Sequence, residues 1–120
     1  MQYLLLLHVD ESGWGHLSPE QQQQGMAAYA AYADALHQAG AFKGSNRLEP
    51  SSKGSNVRLA GGKPRVTDGP FAETKEQIGG YFLIDVPDQA AAVSWASRCP
   101  AASHGVVEVR AIAPIPGRTT

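Results

Sequence analysis

Tyr3-Leu4-Leu5-Leu6-Leu7-His8-Val9 is a nearly unbroken apolar run, ended at once by Asp10-Glu11. A run of that length reads as a strand buried on both faces. Its counterpart is Gly80-Tyr81-Phe82-Leu83-Ile84-Asp85-Val86, closed by Pro87. Asp10 to Leu17, with Gly13, Trp14, Gly15 and His16, reads as a loop. Ser18-Pro19-Glu20-Gln21 then opens a helix. Ser18 suits the cap, Pro19 the first helical position, and Gln21 the place where a capping box needs Glu or Gln. Met26, Tyr29, Ala30, Ala33, Leu36 and His37 follow at helical spacing, and Gly40 stands where a C-terminal cap belongs. The alanines make that face thin, so the helix is expected to pack closely.

Ala41 to Leu48 is a modest strand candidate, and Glu49 to Gly54 a loop. Val57-Arg58-Leu59-Ala60 and Pro64-Arg65-Val66-Thr67 flank Gly61-Gly62, a hairpin signal because the favoured turn needs positive φ at both central positions. Asp68-Gly69-Pro70 turns the chain away. Asp88 caps a second helix running through Ala92, Val93, Trp95 and Ala96 to Cys99, where Pro100 stops it. Val106 to Ile112 alternates apolar residues with Glu108 and Arg110, as a half-exposed strand does. Residues 1–113 form one domain in this reading, and 114–120 a frayed C-terminal tail.

The resulting order, β-α-β-(hairpin)-β-α-β, suits an α+β fold with a ferredoxin-like sheet and both helices on one face. Two small helices cover only one side of strands that are apolar on both. The other side calls for a second copy of the sheet, so a homodimer is expected.

Composition narrows the function classes. The 120 residues are 42% hydrophobic and 18% charged, a globular balance. A formal net charge of −1 and a pI near 6.4 offer no general attraction to phosphate backbones or anionic membranes, which argues against nucleic acid as a partner. The first segment lacks a basic stretch and is too short to span a membrane. Cys99 is the single cysteine, so no intrachain disulfide forms, and a reducing, cytoplasmic setting is expected.

Val66-Thr67-Asp68-Gly69-Pro70-Phe71-Ala72-Glu73-Thr74-Lys75-Glu76, followed by Gly79-Gly80-Tyr81-Phe82-Leu83-Ile84-Asp85-Val86-Pro87, closely resembles the signature of the DGPF branch of the YCII-related superfamily. Tyr3 to Leu7, Trp95-Ala96, Cys99-Pro100-Ala101-Ala102 and Val107 to Arg110 carry the resemblance across nearly the whole chain. It implies a ferredoxin-like sheet assembled as a dimeric α+β barrel. It also implies a small bacterial protein of a family mostly without assigned function, often encoded near extracytoplasmic-function sigma factors. Some YCII relatives act on chlorinated aromatic compounds. A His-Asp pair proposed as the active site in another branch falls, by a rough alignment, on Tyr29 and Gln38 here, so that dyad is not carried over.

The candidate site residues have two readings each. Asp68-Gly69-Pro70-Phe71 is a turn in which Asp caps, Gly supplies an unusual φ, Pro stiffens and Phe plugs the core. Alternatively, the Asp68 carboxylate sits at the mouth of a cleft beside Arg65 or Lys75. His8 is either a core-edge imidazole bonded to backbone or a general base, histidine being the residue type that changes charge near neutral pH. His16 lies in a loop with Trp14, His37 is packed or solvated on the helix, and His104 is a surface residue. Cys99 reads as a small buried hydrophobe. The histidines lack metal-ligand spacing, so neither a metal nor another cofactor is expected. Gly61-Gly62-Lys63 is not a phosphate loop, because Val57 and Pro64 occupy positions that need Gly and Ser or Thr.

Two functions compete. One is a small-molecule enzyme or binding protein, with His8 and Asp68 catalytic and Tyr3, Tyr29, Arg65 and Tyr81 lining a pocket for an aromatic-like ligand. The other is a non-enzymatic accessory module, linked to sigma factors by family analogy. Two polar side chains within hydrogen-bonding reach in a pocket, one of them with a shifted pKa, would favour the first.

Overall fold

In the computed structural model of the chain, which describes residues 1–117, strand β1 (Gln2–Val9) buries Tyr3, Leu5 and Leu7 and leaves Leu4, Leu6 and His8 half-covered. This period of two is what a pleated strand imposes. Strands β5 (Gln77–Asp85) and β6 (Val106–Ala111) flank β1 on either side, and β2 (Phe42–Arg47) pairs with the outer edge of β5. All pairings are antiparallel and the order is β2-β5-β1-β6. The sheet is open, not closed on itself. Apart from a short helix after β1, the strands, long helices and hairpin follow in the predicted order, in an α+β fold.

Helices α2 (Pro19–Gln38) and α3 (Gln89–Arg98) cover the face carrying Tyr3, Leu5, Leu7, Phe82 and Ile84. Leu5, Leu36 and Ile84 are fully enclosed in that layer. Burial at each contributes about 1.5–3 kcal/mol relative to exposure. Ala92 and Ala96 let α3 approach the sheet closely. The opposite face, with Leu4, Leu6, Tyr81 and Leu83, has no layer over it among the described residues.

The helix ends follow from local chemistry. Ser18 Oγ accepts from the Gln21 N–H at 3.1 Å while Gln21 Oε1 accepts from the Ser18 N–H at 2.9 Å, the reciprocal capping box. At the far end Gly40 has φ +71°, and the Gly40 and Ala41 N–H groups donate to the His37 and Leu36 carbonyls at 3.0 and 2.9 Å, a Schellman closure. The Asp88 carboxylate accepts from the Ala91 N–H at 2.9 Å and starts α3.

Three expectations need correction. Asp10 to Leu17 is not all loop: α1 (Glu11–Gly15) lies within it. Asp10 caps that turn by accepting from the Ser12 N–H and hydroxyl at 3.0 and 2.6 Å, which outweighs the two glycines. The buried face of α2 is Tyr29-Tyr32-Ala33-Leu36, with Met26 59% exposed. Tyr32 belongs inside because its hydroxyl reaches the Trp95 carbonyl at 2.7 Å and its ring meets Phe82 edge-on. Phe71 does not plug the core: it is 82% exposed, because Gly69, at φ +101°, sends the chain into an outer loop.

The hairpin comprises β3 (Ser55–Ala60) and β4 (Lys63–Asp68) and forms a separate two-stranded sheet. Gly61 and Gly62, at φ +59° and +78°, make its turn as expected. Pro100 ends α3 and begins a short 3-10 turn, Pro100–Ser103. Of the expected tail at 114–120, residues 118–120 lie outside the described residues.

Candidate functional site

His8 stands near the end of β1 on the uncovered face, opposite Val106 of β6, while Leu6 stands opposite Glu108. Glu108 is therefore the diagonal neighbour of His8, a separation that long side chains bridge. His8 Nε2 lies 2.8 Å from Glu108 Oε1, and Arg110 Nη1 donates to Glu108 Oε2 at 3.2 Å. The His8 bond, then the Arg110 bond, hold the Glu108 carboxyl below its ordinary value of 4.5. Glu108 is thus ionised at neutral pH and only accepts. Nε2 must carry the proton in this contact, and Nδ1 is left with the basic lone pair when the ring is neutral.

Close strand approach fixes the pair. A Cβ at Gly105 would run into the His8 carbonyl oxygen, so the entry of β6 beside β1 depends on glycine. Around the pair lies an open depression of about 760 Å³. The sheet supplies His8, Val106 and Glu108; Asp10 and His104 border them; Thr74, Lys75 and Glu76 form the facing wall. That wall is the end of the Asp68–Glu76 motif. The Thr74 hydroxyl donates to the Glu76 carbonyl at 2.6 Å, and Gln77 Nε2 donates to the Ala72 carbonyl at 2.7 Å. These bonds give the loop its shape. Asp10, whose carboxyl is lowered mainly by its two bonds to Ser12, feels Lys75 as a weaker attraction.

The structure does not gather all the residues singled out in the sequence. Asp68 lies in the hairpin, where its carboxylate accepts from Ser55 Oγ at 3.0 Å; it makes no hydrogen bond to His8, Arg65 or Lys75. Arg65 is exposed on the hairpin opposite Arg58. Tyr3 is buried on the helix side, its hydroxyl 3.4 Å from Met1 Sδ. Tyr29 packs on the core from α2, and burial, with Cys99 adding to it, pushes its phenol up to about 12. Tyr81 shares the uncovered face with His8 and accepts from Asn46 Nδ2 at 2.8 Å.

Of the other histidines, His37 stacks on Phe42 with ring centroids 4.0 Å apart. His104 is at the surface as expected, but at the rim of the depression. Cys99 is buried, and burial raises its thiol pKa, so it stays an inert thiol. Glu108 and Arg110 were seen in the sequence only as the polar half of an alternating strand. Their relation to His8 appears once β6 is placed antiparallel beside β1.

Among the described residues, no three His, Cys, Asp or Glu side chains are gathered as a metal ion would need. None of the described helices is long and apolar enough to cross a membrane. A Rhizobium meliloti (strain 1021) protein, named Uncharacterized protein R00369, is 36% identical over 115 residues, which cover 94% of this chain and 93% of that protein. Residues 1–116 match the YCII-related domain. With that match spanning the sheet, both long helices and the His8–Glu108 depression, the chain belongs to the YCII-related family.

Proposed function

We propose that the protein binds a small, aromatic-like molecule in the His8–Glu108 depression and acts on it by acid–base chemistry. The observation that carries this reading is the 2.8 Å contact between His8 Nε2 and Glu108 Oε1 at the wall of a depression of about 760 Å³. Glu108 orients the ring and stabilises the imidazolium that forms when Nδ1 takes a proton. Arg110 in turn holds Glu108. Lys75 brings a cation from the facing loop, suited to an acidic or phenolic group. Val106, which lines the depression, supplies apolar surface for a ring.

In this reading the chain is of the DGPF branch, its sheet is ferredoxin-like, and two copies pair through the uncovered face as a dimeric α+β barrel. Asp68 then holds the hairpin neck, and through it the loop bearing Lys75, while His8 does the chemistry. A thermal-shift screen against substituted phenols, benzoates and small keto acids tests this. A compound that raises the Tm of the wild type should raise it far less in His8→Ala and Glu108→Gln. Shifts of equal size in all three chains would refute the site and leave the accessory-module reading in its place.

A further inference from the structure

We infer that the β3–β4 hairpin is a clasp whose apolar face lies on a second copy of this chain. The inference rests on the dimer reading above and adds a distinct contact to it. Strand alternation puts Val57, Leu59, Pro64 and Val66 on one face of the hairpin, and Arg58, Lys63 and Arg65 on the other. The apolar face is uncovered: Val57, Leu59 and Val66 are 65%, 70% and 61% exposed. With Pro64 they leave apolar surface on the order of 400 Å² in one patch, within the range that marks a functional surface on a monomer. A lone two-stranded hairpin is marginal in water, so a cover over that face supplies what the ladder alone does not.

The shape of the chain agrees. Its radius of gyration is 16.5 Å and its extents are 49 × 49 × 18 Å, whereas about 14 Å is expected for a compact chain of this length. The hairpin is an arm beyond the body. Its neck is built to hold a direction. The Gly69 N–H donates to the Gly54 carbonyl at 2.8 Å, Asn56 Nδ2 donates to the Gly69 carbonyl at 2.7 Å, and Ser55 Oγ donates to Asp68 at 3.0 Å. Glu11 accepts from both the Ser51 N–H and Ser51 Oγ at 2.7 Å and ties the root to α1.

Area favours a copy of the same chain as the occupant. A stable interface needs about 800 Å² per partner, and the arm supplies about half of that beside the four large side chains of the sheet face. A phosphate backbone would engage the basic face and leave the apolar one bare. Seating the arm also steadies the site, because β4 runs through Asp68-Gly69-Pro70 into the loop whose Thr74, Lys75 and Glu76 wall the depression.

Sedimentation equilibrium at micromolar concentration tests the clasp on the full chain. The wild type should have twice the 12.7 kDa chain mass. Leu59→Lys/Val66→Lys, at positions already exposed, should dissociate at least tenfold more readily with its circular dichroism unchanged. Arg58→Gln/Arg65→Gln should weaken the dimer less. Hydrogen exchange on the wild type needs no variant: hairpin amides should slow as the concentration rises through the dissociation constant. If Leu59→Lys/Val66→Lys pairs as tightly as wild type while Leu6→Lys is monomeric, the clasp falls and the sheet-face dimer stands. A wild type that is monomeric throughout removes both. Hairpin amides that slow only with anionic phospholipid vesicles would give the face to a membrane and overturn the clasp.

Discussion

Glu108 is the residue on which the site turns. Its carboxyl is depressed by accepting from His8 and Arg110, so its folded pKa lies below its unfolded one. A group of that kind contributes stability that is present above the unfolded pKa and lost as pH falls through the folded one. Asp10 and Asp85 are depressed by their own hydrogen bonds and act with the same sign. The wild type should therefore lose stability as pH falls below about 4.5, the ordinary value of a glutamate. Glu108→Gln cannot gain or lose that proton, so its acid limb should be shallower while those of Asp10 and Asp85 persist. Urea melts at several pH values between about 3 and 7 measure it. Parallel acid limbs in the two chains would mean that the Glu108 contact is absent in solution.

At the scale of elements, the hairpin neck decides what the Asp68-Gly69 pair is for. Gly69 has φ +101° and open space where a Cβ would go. Gly69→Ala therefore meets backbone strain without a clash, at a cost of about 1 kcal/mol or more. Asp68→Asn keeps an acceptor for Ser55 Oγ and should cost less. Urea midpoints of the two variants decide the order, and the reverse order would show that the carboxylate charge matters more than the turn. Elements of this local kind were legible in the sequence. The capping box at Ser18, the glycine closure at Gly40 and the Gly61-Gly62 turn each depend on neighbours a few positions away. The helix at Glu11–Gly15 was missed because two glycines hid the Asp10 cap. Tyr32 was missed because its place inside depends on Trp95, 63 positions distant.

For the whole molecule, the same distinction explains the half-legible site. His8 was visible as the one histidine on a core strand, but its partner lies 100 positions away in sequence and is fixed only by strand order and register. Asp68 was expected at the mouth of a cleft beside Arg65 or Lys75, but its carboxylate holds the neck of an arm instead. Its far end, at Thr74 to Glu76, is the part that reaches the depression. One face of the sheet is filled, with Tyr3 inside it; the other offers His8, Glu108 and Tyr81. The most direct measurement is a crystal structure of the wild type with the compound that most raises its Tm. Ligand density is expected in the depression between the sheet and Lys75, with a polar ligand atom within hydrogen-bonding distance of the His8 ring. Density confined to the hairpin around Asp68 and Arg65, or to the helix side near Tyr29, would contradict it.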